Sequence, residues 1–322
     1  MRISKEKLLS EAEKTGFRLE VLEKAIHLLS LLEGFRSHPF LKGRLVLKGG
    51  TALNLFVFDL PRLSVDIDLN YIGAAEREIM LEERPKVEQA VHAVCAREGF
   101  ATRRIPEDHA GGKWSLRYES ALGGGGNLEV DLNFMFRIPL WPVATRDSRP
   151  VGSYKATGIS VLDMHELAAG KLVALLARKQ ARDLFDVHQI LNRGDLEPHR
   201  LRLAFVVYGA MNRKDWRKVS VNDVVFEVGE LENHLIPLLR RDYLKDLRET
   251  AGLGSRLVQE CRKWLEVVLP LSKREMEFLD SLLDEGEINP SLLTSDQDLE
   301  ERIRRHPLLE WKALNVRKYK GR

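Results

Sequence analysis

Lys48-Gly49-Gly50-Thr51-Ala52-Leu53, followed by Arg62-Leu63-Ser64-Val65-Asp66-Ile67-Asp68-Leu69, is the stretch whose reading decides the fold. Leu45-Val46-Leu47 runs into the glycines as a short apolar strand, Gly49-Gly50 turns the chain, and Thr51 opens a helix through Phe58. From Ser64 to Tyr71, Val65, Ile67 and Leu69 alternate with Ser64, Asp66, Asp68 and Asn70, the period of a half-buried strand. Asp66 and Asp68 therefore project from one face while Ile67 and Leu69 enter a core. Two carboxylates side by side repel unless a cation lies between them, and a hard cation such as Mg²⁺ takes oxygen ligands and leaves positions for phosphate. A Gly-Gly-Thr turn at a helix start presents backbone N–H groups to an anion. Together these features point to a divalent metal and a nucleoside triphosphate, with Gly49, Gly50, Thr51 and Ser64 as nucleotide-binding candidates.

Outward from this stretch, residues 5–33 carry apolar positions at helical spacing, and residues 76–98 read as another helix. Lys113–Ser120 and Asn127–Phe136 read as two strands of a hairpin closed by Gly123-Gly124-Gly125-Gly126. A strand follows these glycines, so they read as a turn rather than a phosphate loop. Asp131 lies on the second of these strands and can stand beside the Asp66/Asp68 pair as a third carboxylate, ligating metal or deprotonating an attacking hydroxyl. Pro139 to Pro150 reads as a connection, Ile159–Leu162 as a last short strand, and Asp163-Met164-His165-Glu166 as a capping box opening a helix. Candidate helices then cover 183–192, 198–211, 230–247, 255–268, 273–284 and 296–305. The pattern predicts an α/β (α+β) fold: a mixed-sheet domain over 1–160 and a mainly α-helical domain over 161–322.

The helix from Met164 carries a second constellation. If it ran unbroken, Arg178, Arg182 and Asp186 would each fall within about 60° of Lys171 on a polar stripe, with Asp183 about 120° from Lys171. A break near Lys179 would instead let Asp183 cap a new helix. Lys171 sits among Leu167, Ala168, Leu172 and Leu175, which suits a cation directed into a cleft.

Composition sets the outer bounds. The chain has 322 residues, 44% of them hydrophobic and 31% charged, with a formal net charge of +3. No apolar run approaches the roughly 20 residues that span a bilayer, and Met1–Lys7 lacks the apolar core of a signal peptide, so the expectation is a cytoplasmic protein with no membrane association. Cys95 and Cys261 are far apart and form no CxxC, so neither a disulfide framework nor a structural zinc site is indicated. Basic residues cluster at 178–182, 213–218, 240–241 and in the tail Arg317–Arg322, a distribution compatible with nucleic acid.

On these residues the chain resembles the AbiEii-type nucleotidyltransferase toxins, which include the mycobacterial Men toxins, within the DNA-polymerase-β-like nucleotidyltransferase superfamily. Lys48–Leu53 with Ser64–Asp68 is similar to the superfamily's Gly-Gly/Ser plus Asp-x-Asp signature. Lys171 to Arg178 and Arg182–Asp186 are similar to the family's helical motifs, so the likeness spans roughly 44–192. The resemblance implies metal-dependent transfer of NMP from an NTP to an acceptor hydroxyl. By position, Asp66 and Asp68 would hold Mg²⁺ or Mn²⁺, Gly50 and Thr51 would cradle phosphate, and Lys171, Arg178 and Arg182 would meet the triphosphate. Asp186 would be the downstream acid, ahead of Asp183, and Asp131 a third strand carboxylate that some members of the family use and others do not.

Family likeness further implies a growth-inhibiting toxin with a cognate antitoxin, modifying the 3′ end of tRNA and so blocking aminoacylation. Two other readings stand beside it. One is nucleotidylation of a protein or small molecule, and the other is a non-catalytic nucleotide- or RNA-binding module.

Overall fold

The computed structural model describes residues 3–59, 61–104, 111–245 and 250–321. The chain forms two compact units, the first comprising Met1–Arg137, Val143–Leu162 and Ile236–Leu247, and the second Ile138–Pro142, Asp163–Leu235 and Arg248–Arg322.

The first unit opens with α1 (Lys5–Thr15), whose N-cap Ser4 accepts a hydrogen bond from the Lys7 amide and whose C-cap Gly16 turns at φ 74°. That left-handed glycine divides the expected 5–33 helix, and α2 begins anew as Leu19–Ser37. A mixed seven-stranded sheet follows, ordered β3-β4-β5-β2-β1-β7-β6. Its strands are β1 (Leu45–Lys48), β2 (Asp66–Tyr71), β3 (Ala101–Arg104), β4 (Gly111–Glu119), β5 (Gly125–Asn133), β6 (Ala144–Arg146) and β7 (Ile159–Val161). β2 runs antiparallel to β1 and parallel to β5, which brings the Asp-x-Asp strand into the middle of the sheet. One face is apolar: Leu47, Ile67, Leu69, Trp114, Val130 and Leu132 are all buried. Helix α2 and α4 (Arg77–Arg97) belong to the same core, contributing Leu28, Leu32, Val87 and Val91.

The turn helix starts two residues earlier than its sequence reading, as α3 (Gly49–Thr51), and continues as a π-helical turn over Ala52–Val57. β5 stops at Asn133 rather than Phe136. The Asn133 side-chain oxygen accepts from the amides of Met135 and Phe136, which bends the chain out of the ladder.

The second unit is helical. Its α5 (Met164–Arg178) contacts both α6 (Ala181–Arg193) and α7 (Pro198–Ala210), and Leu172, Leu175, Leu184, Phe185 and Phe205 are buried there. Asp163 caps α5 by accepting from the His165 amide at 2.8 Å, but only half of the expected capping box forms. Glu166 turns away from Asp163 and instead accepts from the amides of Leu140 and Trp141 and from the Tyr208 hydroxyl. Burial pushes its carboxyl up to about 7.

The expected helix over 230–247 is broken. It forms α8 (Val228–Glu230), a π turn, a 3-10 turn around Pro237 and α9 (Arg241–Lys245), while residues 246 and 247 lie outside those described. Further on are α10 (Thr250–Trp264), α11 (Lys273–Asp280), α12 (Gln297–Arg304) and α13 (Pro307–Tyr319). The stretch read as a basic tail is thus largely helix, with Arg322 outside the described residues. Among the described residues no helix is long and apolar enough to cross a membrane. Cys95 and Cys261 are buried free thiols, each pushed up to about 12 by burial.

Candidate active site

Strand register assembles a row of charged side chains in the first unit. Lys48 on β1 faces Asp68 on β2, Asp68 faces Asp131 on β5, and Asp131 faces Lys113 on β4. Directly opposed residues share a face, so the sheet carries a row reading cation, carboxylate, carboxylate, cation. Asp66 lies one step along the same face, opposite Glu129. The expectation that Asp131 stands beside the Asp-x-Asp pair corresponds to this register.

Electrostatics follow from the row. Burial, chiefly, raises the Asp131 carboxyl above its ordinary range; Lys48 and Lys113 pull it down, and the Asp68 and Glu129 charges push it up. Lys113 is held charged by its 3.1 Å contact with Glu129, with Asp131 and Asp66 adding to the attraction.

The glycine turn is fitted to these acids. At Gly49, φ is +72°, and a Cβ built there would come within 2.1 Å of Asp68 Oδ2, so the carboxylate rests against bare backbone. A Cβ on Gly50 would meet the Ser64 Oγ at 2.9 Å and an Arg62 guanidinium nitrogen at 3.3 Å. Thr51 is buried, and its hydroxyl donates to the Asp66 carbonyl at 2.5 Å, tying the turn to β2. Its contribution to a bound phosphate would come from the backbone.

Four residues of this region have no role in the sequence reading. Lys48 and Lys113 acquire theirs only through strand pairing. Arg62 is buried beneath the turn and donates to the Leu63 carbonyl. The loop that carries it is anchored where Leu63 N donates to Leu238 O and Arg240 N to Pro61 O. Asn70 extends the polar alternation beyond Asp68. It is buried, and its side-chain oxygen has no hydrogen-bond partner. The continued Asp-x-Asp-x-Asn pattern was the available signal.

In the second unit, α5 ends at Arg178 because Lys179 adopts a left-handed conformation, φ 57°, and α6 starts at Ala181 after N-cap Gln180. The unbroken stripe is therefore not formed, and the break near Lys179 is, but Asp183 does not cap the new helix: Gln180 holds that position and Asp183 is the third residue of α6. The break folds the two helices so that the Lys171 ammonium lies 2.9 Å from Asp183 and 2.8 Å from Asp186. All three side chains are buried, at 8%, 1% and 0% exposure. Arg178 grips Asp183 through two nitrogens, at 2.7 and 3.2 Å, while Arg182 sits half-buried in the first turn of α6. Burial pushes the Asp183 carboxyl up, but Lys171 and Arg178 outweigh it and hold the group down at about 2.

Residues 30–265 match the family model described as "Nucleotidyl transferase AbiEii toxin, Type IV TA system". Among solved structures the chain is similar to MenT4, a nucleotidyltransferase toxin from Mycobacterium tuberculosis H37Rv. The superposition has a TM-score of 0.60 at 17% identity, covering 92% of this chain and 97% of that one, which shows a shared fold. No curated protein sequence matches the chain.

Proposed function

The chain belongs to the AbiEii nucleotidyl transferase toxin family of type IV toxin–antitoxin systems, and from that membership we propose that it transfers NMP from an NTP to the 3′ end of tRNA. The observation that carries this reading is the row Lys48, Asp68, Asp131, Lys113 with Gly49 backbone pressed on the Asp68 carboxylate.

The donor set suits a hard divalent cation. Its side chains are carboxylates, and the Asp131 carboxyl is raised in part by Asp68, a like-charge strain that a cation relieves. Among the described residues no three His, Cys, Asp or Glu side chains cluster closely enough to hold a metal by themselves. Asp66 and Asp68 would therefore hold Mg²⁺ or Mn²⁺ as a pair, phosphate oxygens and water completing the shell. When bound, the metal neutralises charge on the triphosphate.

The chain's own groups divide the remaining work. Backbone N–H groups of Gly50 and Thr51 bind phosphate. Asp131 accepts the proton of the attacking hydroxyl as its oxygen bonds to the α-phosphorus and pyrophosphate leaves; a raised carboxyl pKa brings this base closer to neutrality. By the family resemblance Lys171, Arg178 and Arg182 would supply positive charge to the triphosphate; within the second unit Asp183 and Asp186 fix the Lys171 ammonium. A cognate antitoxin completes the system.

Incubation with each α-labelled NTP and total tRNA tests the proposal. Label is expected in the tRNA fraction, at the 3′ end. Label in protein or small molecules instead moves the acceptor to the alternative class, and no transfer from any NTP rejects the reading.

A further inference from the structure

Between Arg137 and Val143 the chain leaves the first unit, and Ile138–Pro142 belong to the second. This strap has no regular secondary structure. Pro139 and Pro142 carry no N–H, so the strap has three amide donors, and Glu166 on α5 takes two of them: Leu140 N donates to one carboxylate oxygen at 2.9 Å and Trp141 N to the other at 3.2 Å. The Tyr208 hydroxyl on α7 donates to Glu166 as well, at 2.9 Å. Neighbouring helices supply the other contacts. Leu140 is buried, the Arg302 guanidinium on α12 donates to the Pro139 carbonyl at 3.2 Å, and Arg200 on α7 lies over the Trp141 ring at 4.5 Å.

Glu166 is 1% exposed, and among the described residues no cation is paired with it. Burial raises its carboxyl most and the Asp163 charge adds to the rise, while the two amides and the tyrosine hydroxyl pull it down without prevailing, which leaves it at about 7 against an ordinary 4.5. The other titratable and charged groups around the strap are committed elsewhere. His165 uses both ring nitrogens, Nδ1 against Asp163 at 2.9 Å and Nε2 accepting from the Glu197 amide at 3.0 Å, and its ring stands 6.0 Å from that of Trp141. Burial, chiefly, and the Glu166 charge push the Tyr208 hydroxyl well up, so it stays neutral. Arg200 is shared with Asp163 and Glu197, and both it and Arg302 keep their charge throughout.

We propose that Glu166 is a proton-dependent clasp: with its carboxyl neutral the strap Ile138–Pro142 stays seated on α5 and α7, and ionisation of the carboxyl as pH rises loosens it. A carboxylate formed in place is a charge without water or a cation, and it gains by any opening that lets water in. The direction follows from linkage. A carboxyl raised in the seated state holds fully below about 4.5, and its hold is lost as pH rises through about 7. Opening is then favoured about tenfold more at pH 8 than at pH 6. The device concerns the second unit alone and is independent of the transfer reaction.

Amide hydrogen exchange of the full-length protein tests it, with protection of Leu140 and Trp141 corrected for the intrinsic rate at each pH. In the wild type their protection should fall about tenfold between pH 6 and 8, while α10 amides keep theirs. Glu166→Gln retains a neutral side chain of the same shape and should make strap protection independent of pH. Unchanged protection in the wild type overturns the proposal, and so does an equal fall in Glu166→Gln, which would assign the effect to His165. Should that variant fail to fold, the wild-type Glu166 carboxyl ¹³C shift decides. It must titrate near 7 with the Leu140 and Trp141 amide shifts following the same midpoint; a midpoint near 4.5, or amide shifts that do not follow, overturns the clasp.

Discussion

Replacing Asp68 with alanine is expected to reduce nucleotide transfer about a thousandfold or more while leaving the fold intact. Charge stabilisation by a metal is worth several kcal/mol, and about 4 kcal/mol corresponds to three decades in rate. Asp68 is only half-buried, on the polar face of β2, so its removal opens no core cavity. Its loss also withdraws a like charge from Asp131, which is expected to lower the Asp131 pKa and to leave stability unchanged or slightly raised. Steady-state label transfer with thermal unfolding separates the two effects. A thousandfold loss at unchanged Tm supports a catalytic ligand, whereas equal activity in wild type and variant removes Asp68 from the chemistry.

The second large effect concerns stability. Lys171 is buried between Asp183 and Asp186 at 2.9 and 2.8 Å, and Lys171→Met would leave two carboxylates facing each other away from water. Breaking a buried ion pair by removing one partner costs about 3–5 kcal/mol. The double variant Lys171→Met/Asp186→Asn removes one of the stranded charges, and Arg178 still pairs Asp183, so it should recover much of the loss. If Lys171 also contacts the triphosphate, activity stays low in the double variant although stability returns.

The same cluster fixes an acid dependence. The Asp183 carboxyl is held down at about 2 from its ordinary value of 3.8. Its contribution is full above the unfolded value and is lost as pH falls from about 4 through 2. At about 1.36 kcal/mol per pKa unit the loss is roughly 2.5 kcal/mol, measurable as denaturant midpoints across that window.

What the sequence revealed and what it concealed have physical reasons. The alternation from Val65 to Asn70 and the Gly49-Gly50 turn are local patterns, and β2 forms within the first, from Asp66, while the turn helix starts at Gly49, two residues before its reading. Asp131 lies beside the aspartate pair as its strand pattern suggested. Lys48 and Lys113 join the row only through pairing between strands distant in sequence, which no local pattern reports. β3 and β6 are short and largely polar edge strands, Ala-Thr-Arg-Arg and Ala-Thr-Arg, below any periodicity signal. The break at Lys179 has neither glycine nor proline to announce it. A lysine in the left-handed region costs about 1–2 kcal/mol, and the buried ion pairs that the break allows offset it. Its consequence is the one feature the helical reading could not choose: both Asp183 and Asp186 reach Lys171.

Mn²⁺ binding in the presence of a non-hydrolysable NTP tests the central claim most directly, because the paramagnetic signal reports metal on the protein without requiring the acceptor. Wild-type protein should bind Mn²⁺ saturably, and the Asp66→Asn/Asp68→Asn variant, folded to the same Tm, should lose that binding. Undiminished Mn²⁺ binding in the variant would contradict the assignment of the strand carboxylates as the metal site.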